Sequence, residues 1–65
     1  MEYTNSQVRE LIAEHIHSER DREILSRRLI DGIVIERLAE EFALSPRQIT
    51  NILRKNENIL FSKLP

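Results

Sequence analysis

The sequence predicts an all-α domain of four helices, and three observations lead there. With 1 Gly, 2 Pro and 5% aromatic residues, the chain has almost no vocabulary for strands or hairpin turns. Its apolar residues recur at intervals of three and four rather than alternating. Helix-start signals stand at Thr4, Ser18 and Ser45, each a hydroxyl-bearing residue followed three places later by Gln or an acid.

The 65 residues allow one domain. A domain of that size buries only about 60% of its unfolded surface, so its stability margin is thin and a second copy, a partner chain or a bound polymer would help it. The absence of Cys excludes disulfides and thiolate metal sites. No apolar run approaches the roughly 20 residues that span a bilayer, and Met1 to Asn5 has neither the positive start nor the apolar stretch of a signal peptide. A cytoplasmic protein with no membrane partner is the expectation.

The first helix starts at Thr4, whose side chain and that of Gln7 form a capping box. Val8, Leu11, Ile12 and Ile16 make its apolar stripe. The second starts at Ser18 with Asp21 in the capping position and Glu19 beside the positive helix end. It buries Ile24, Leu25, Leu29 and Ile30, and Asp31-Gly32 ends it, since Gly takes a left-handed conformation at little cost. The third covers Val34 to Phe42, with Ile35, Leu38, Ala39 and Phe42 on one face. The fourth has the clearest start: Ser45 caps it, Pro46 sits in the first turn where no donor is missed, and Gln48 completes the box. Ile49, Ile52 and Leu53 form its inner stripe, and its end falls between Asn56 and Leu60. The chain thus divides into an N-terminal helix (residues 1–17), a packing helix (18–32), a helix-turn-helix (33–58) and an apolar tail (59–65).

The helix-turn-helix follows from spacing. Only Ala43-Leu44, with Ser45 as cap, separates the last two helices, a gap that suits a sharp crossing better than an antiparallel pair. Ala39 is small where the backbones must approach, Leu38 and Phe42 face inward, Leu44 plugs the turn, and Ile49 and Ile52 return from the fourth helix.

Four stretches carry a family resemblance: Ser18 to Leu25, Leu29 to Gly32, Leu38 to Phe42 and Leu44 to Ile49. Across residues 18 to 55 the chain resembles the fourth conserved region of bacterial sigma factors, and it is similar to the related effector domains of quorum-sensing and response regulators. The resemblance implies a leading helix packed on the helix-turn-helix, a last helix in the DNA major groove, a bacterial or phage transcription setting, and contact with RNA polymerase. Two positions depart from the pattern. Val34 stands where that family usually has a capping Thr or Ser, and a lost cap costs about 1 kcal/mol. Ala43 stands where the turn usually has Gly, and a left-handed Ala costs roughly 1 kcal/mol or more.

Charge agrees with a polyanion-facing end. Residues 1–44 carry six Arg against ten acids, a net −4, whereas residues 45–65 carry Arg47, Arg54, Lys55 and Lys63 against Glu57 alone, a net +3. Opposite the buried stripe of the fourth helix lie Arg47, Gln48, Thr50, Asn51, Arg54 and Lys55. Arg can bridge two acceptors on guanine, and Asn or Gln can pair with adenine. Lys55 and Lys63 suit phosphates, and the helix start, through Ser45, Arg47 and Gln48, offers backbone N–H groups to another. The expected DNA-binding set is Ser45, Arg47, Gln48, Thr50, Asn51, Arg54 and Lys55, with double-stranded DNA as the partner. Against it stand Glu36, Glu40 and Glu41 on the third helix, partly compensated by Arg27, Arg28 and Arg37. With few phosphate contacts available, one copy should bind modestly and lose affinity steeply with salt.

Ile59, Leu60, Phe61 and Leu64 are too apolar for a solvated terminus. They either fold back onto the first helix or serve as a contact surface, for a homodimer or for RNA polymerase. His15 and His17, two apart on a helix, point in different directions and cannot share a metal ion. Ser18 and Ser45 are caps, Ser26 has no placed base, and no Gly-rich phosphate loop exists, so neither an enzyme nor a cofactor is expected. The competing class is a protein-interaction module that binds RNA polymerase or a sigma factor without touching DNA.

Overall fold

The structure, a computed structural model, describes residues 4–62. It holds α1 (Asn5–His15), α2 (Glu19–Leu29), α3 (Ile35–Phe42) and α4 (Pro46–Ser62), and among the described residues there is no strand. Each helix begins where a local signal tells it to, except α3. Thr4 and Gln7 exchange bonds as a capping box, with Thr4 N–H donating to Gln7 Oε1 at 2.8 Å and Gln7 N–H to Thr4 Oγ1 at 3.2 Å. Ser18 accepts from the Asp21 N–H at 3.3 Å, so Ser18 is the cap of α2 and Asp21 its third residue, adding charge rather than capping. Val34 precedes α3 without any side-chain cap.

The ends are as instructive. Gly32 has φ +69°, and the chain wraps back so that the Ile33 N–H donates to the Arg27 carbonyl at 3.0 Å. Ala43 is left-handed at φ 54°, ψ 42°, in the three-residue connection between α3 and α4. That conformation lets the Leu44 N–H return to the Ala39 carbonyl at 3.0 Å and turns the chain sharply into Ser45.

Ile24, Leu25, Leu38 and Ile49 are sealed at the centre, with Ile12, Ile16, Ala39, Leu53 and Leu60 around them. Val8, Leu11, Leu29, Ile33, Ile35, Phe42, Leu44, Ile52 and Ile59 pack against that group while remaining partly exposed. α4 touches the other three helices, as does α2, while α1 and α3 make no contact with each other. The outer helices are therefore braced through a central pair.

Two expectations need correcting. α4 does not stop between Asn56 and Leu60 but runs on to Ser62, so the region taken as a separate tail from residue 59 is helix at least that far. Within it, Leu60 is buried in the core and Ile59 packs on the core, as the fold-back option requires; Leu60 is not available to a partner. The sequence could not locate this end because Asn56 occupies an interior position of the stripe Ile49, Leu53, Asn56, Leu60, where a polar residue reads as a stop. Leu64 and Lys63 lie outside the described residues.

Candidate nucleic-acid interface

α4 is held on its inner side by three apolar residues and one amide. Asn56 is 4% exposed, and its Nδ2 donates to Asp21 Oδ2 on α2 at 3.1 Å and to the Ile52 carbonyl at 2.8 Å. Asp21 is itself mostly buried and also accepts from Arg20. This contact, 35 residues apart in sequence, fixes the middle of α4 against the first turn of α2. Among the described residues no buried side-chain polar atom lacks a partner. Sequence reasoning missed Asn56 altogether; its signal was an amide at a stripe position, with a buried carboxylate available to receive it.

The outer side is what the sequence expected, with two amendments. Arg47, Asn51, Arg54 and Lys55 are exposed. None of the four has a side-chain hydrogen bond or ion pair among the described residues, in contrast to Arg20 and Arg27, which are paired with acids. At 100° per residue Arg47, Asn51 and Arg54 run along one line of the helix. The first amendment concerns Gln48. Its Oε1 accepts from the Ser45 N–H at 2.8 Å while its own N–H donates to Ser45 Oγ at 3.1 Å. The carbonyl oxygen is thereby committed to the cap, so Gln48 retains an amide donor but not the donor–acceptor pair that matches adenine. The same box consumes the backbone N–H groups of Ser45 and Gln48, leaving Arg47 as the source of a free N–H at the helix start. The second amendment concerns Thr50. It is half-buried, its hydroxyl donates to the Pro46 carbonyl at 2.9 Å, and it lines a groove with Ile35 rather than facing outward. Helical spacing placed Thr50 on the outer arc; packing of α4 against the start of α3 moved that arc round.

Electrostatics on the flanking helix are partly neutralised. Arg27 grips Glu41 with two nitrogens, Nη2 to Oε1 at 2.5 Å and Nε to Oε2 at 3.2 Å, and reaches Asp31 at 3.4 Å. The hydrogen bond from Arg27 holds the Glu41 carboxyl below its ordinary value despite some desolvation, and the same contact raises Arg27. Glu36 and Glu40 remain exposed and without an ion-pair partner among the described residues. Arg28 donates to the Ile33 carbonyl at 3.1 Å, bracing the turn into α3. Arg22, unremarked in the sequence, donates to the Ile16 carbonyl and, at 2.9 Å, to that of Ala13, covering the end of α1.

Comparison with protein families, curated proteins and solved structures finds no match to this chain. What this face does must be argued from its own chemistry. Its line of two guanidiniums and an amide, without a side-chain partner among the described residues, can donate to acceptors on a flat polar edge or to phosphate oxygens. His15 lies 4.0 Å from Glu14, and among the described residues no group of three or more His, Cys, Asp or Glu could hold a metal ion. Among the described residues no helix is long and apolar enough to cross a membrane.

Proposed function

We propose that α3 and α4 form a helix-turn-helix of the kind found in sigma factor region 4, and that the chain is a sequence-specific, double-stranded-DNA-binding regulator of transcription, or a sigma-like factor. In this reading α4 lies in the major groove, which admits a single helix. The observation that supports it most is the exposed line Arg47, Asn51 and Arg54, without side-chain partners among the described residues, on the helix that packs against all three others. Arg47 and Arg54 read guanine acceptors, Asn51 reads adenine, and Lys55 meets phosphate. Ser45 positions the helix start rather than contacting a base. The resemblance to sigma region 4 adds RNA polymerase as the expected second partner.

Selection of bound duplexes from a random pool, followed by fluorescence anisotropy on the winner, tests the proposal. Arg47→Ala is expected to weaken the selected site by about 1–3 kcal/mol and relax preference at one base pair. Binding that is undetectable even at about 50 mM salt would reject DNA as the ligand and leave the interaction-module reading.

A further inference from the structure

The flank of α4 beside its buried edge, next to Arg28 of α2 and Ile35 of α3, carries a second, differently composed stripe. Thr50, Leu53, Arg54, Glu57, Asn58 and Phe61 all line one open groove of about 390 Å³. Their spacing of three, one, three, one and three is that of a single helix face. Arg28 and Ile35 form the opposite wall. Phe61 is 58% exposed and, with Val34, stands out as a large apolar side chain left in water among the described residues. An aromatic and Arg residues beside an apolar floor are the composition of an interface centre.

The stripe is complementary to itself when reversed. In an antiparallel pair of α4 helices crossing between Lys55 and Asn56, Arg54 of each copy meets Glu57 of the other. In the same register Phe61 reaches the Thr50 end of the groove, where Ile35 offers an apolar wall, while Leu53 stays in its own chain's core as the groove floor. A parallel pair would set Arg54 against Arg54 and Glu57 against Glu57, so charge selects the antiparallel arrangement. Arg54 and Glu57 have no ion-pair partner within their own chain among the described residues, so both are available.

We propose that this groove is the seat of a symmetric homodimer in which two α4 helices pair antiparallel, with Arg54–Glu57 crossed ion pairs and Phe61 as the anchor. The arrangement is isologous and closes at two copies. It has a consequence for the DNA reading without depending on it. Arg54 belongs both to this stripe and to the outward line, so the dimer withdraws it from DNA, and self-association and DNA contact through Arg54 exclude one another.

Charge exchange on the full chain tests the dimer with no DNA present. Sedimentation velocity up to about 1 mM protein, a range in which weak contacts still register, should show wild type passing from monomer to dimer. Arg54→Glu alone and Glu57→Arg alone should each remain monomeric, at least tenfold weaker in association. Mixing the two single variants should restore a dimer, since every crossed pair then joins opposite charges, and the double variant should dimerise alone. Phe61→Ser should abolish association with the charges intact. All three positions of change lie outside the buried core, and helical circular dichroism equal to wild type confirms folding. Wild type that stays monomeric throughout overturns the proposal and leaves the groove to another occupant, and so does a wild-type dimer that the exchange neither breaks nor restores.

Discussion

Ala43 shows how one residue records a compromise between turn geometry and side chain. It is left-handed at φ 54° because the α3–α4 connection needs that conformation, yet it carries a Cβ that clashes there. Its side chain is exposed, so replacing it loses no packing. Ala43→Gly is therefore expected to stabilise the domain by about 1 kcal/mol, the relieved strain outweighing the extra freedom Gly gives the unfolded chain. In a domain of this size that corresponds to roughly 4–8 °C in Tm by circular dichroism; a lowered Tm would mean the turn is not left-handed in solution. In the sequence this position stood out only through the resemblance to sigma factor region 4, as the place where that turn usually has Gly. Asn56 is the contrary case. Its role depends on Asp21, 35 residues away, and no local rule connects them. Asn56→Ala should cost about 1–3 kcal/mol by leaving polar groups under-satisfied at a buried site. A double-mutant cycle with Asp21→Ala isolates the bond itself, with an expected coupling of about 0.5–1.5 kcal/mol in urea unfolding. Coupling indistinguishable from zero would show that the amide is held by Ile52 alone.

At the scale of elements, the capped starts were legible, as were the ends of α2 at Gly32 and of α3 at Phe42, but the end of α4 was not. Caps at Thr4, Ser18 and Ser45 act within three residues of themselves, and all three hold in the structure. The end of α4 is set by tertiary burial of Leu60, which no signal near Asn56 or Leu60 announces. The outer face of α4 was likewise legible as a list but not as a set of free groups, because Gln48 and Thr50 spend their acceptor and donor on their own helix. The α2–α3 brace is another tertiary event: Arg27 joins Glu41 across 14 residues. Its pH response has a definite sign. Glu41 is lowered in the folded state, so its contribution is present in full above the ordinary Glu value near 4.5 and is lost as pH falls through the lower folded value. Thermal melts from pH 7 down to about 3 should therefore fall less steeply in Glu41→Gln than in wild type. Parallel curves would show the pair to be a surface contact without net effect, the common fate of exposed ion pairs.

For the whole molecule the decisive quantity is how a chain of net charge −1 could approach DNA. The cationic end from residue 45 onward lies next in the chain to α3, whose Glu36 and Glu40 face solvent without ion-pair partners among the described residues. Arg27 has already taken Glu41 out of contention, so these two carboxylates are the repulsion that remains on the flanking helix. If α4 enters the groove, α3 crosses near the phosphate backbone, and both acids work against binding at a range set by screening. Glu36→Gln with Glu40→Gln is then expected to raise affinity about 3- to 10-fold at about 50 mM salt, the sum of two modest surface charge effects. The same substitutions should give almost no gain near 1 M, where the Debye length shrinks to about 3 Å. The gain should appear on specific and random duplexes alike, because phosphates carry no sequence. Anisotropy titrations across that salt range measure it directly. An affinity gain that survives high salt would point to a change in direct contacts instead, and no gain at low salt would place α3 away from the backbone and contradict this docking of α4.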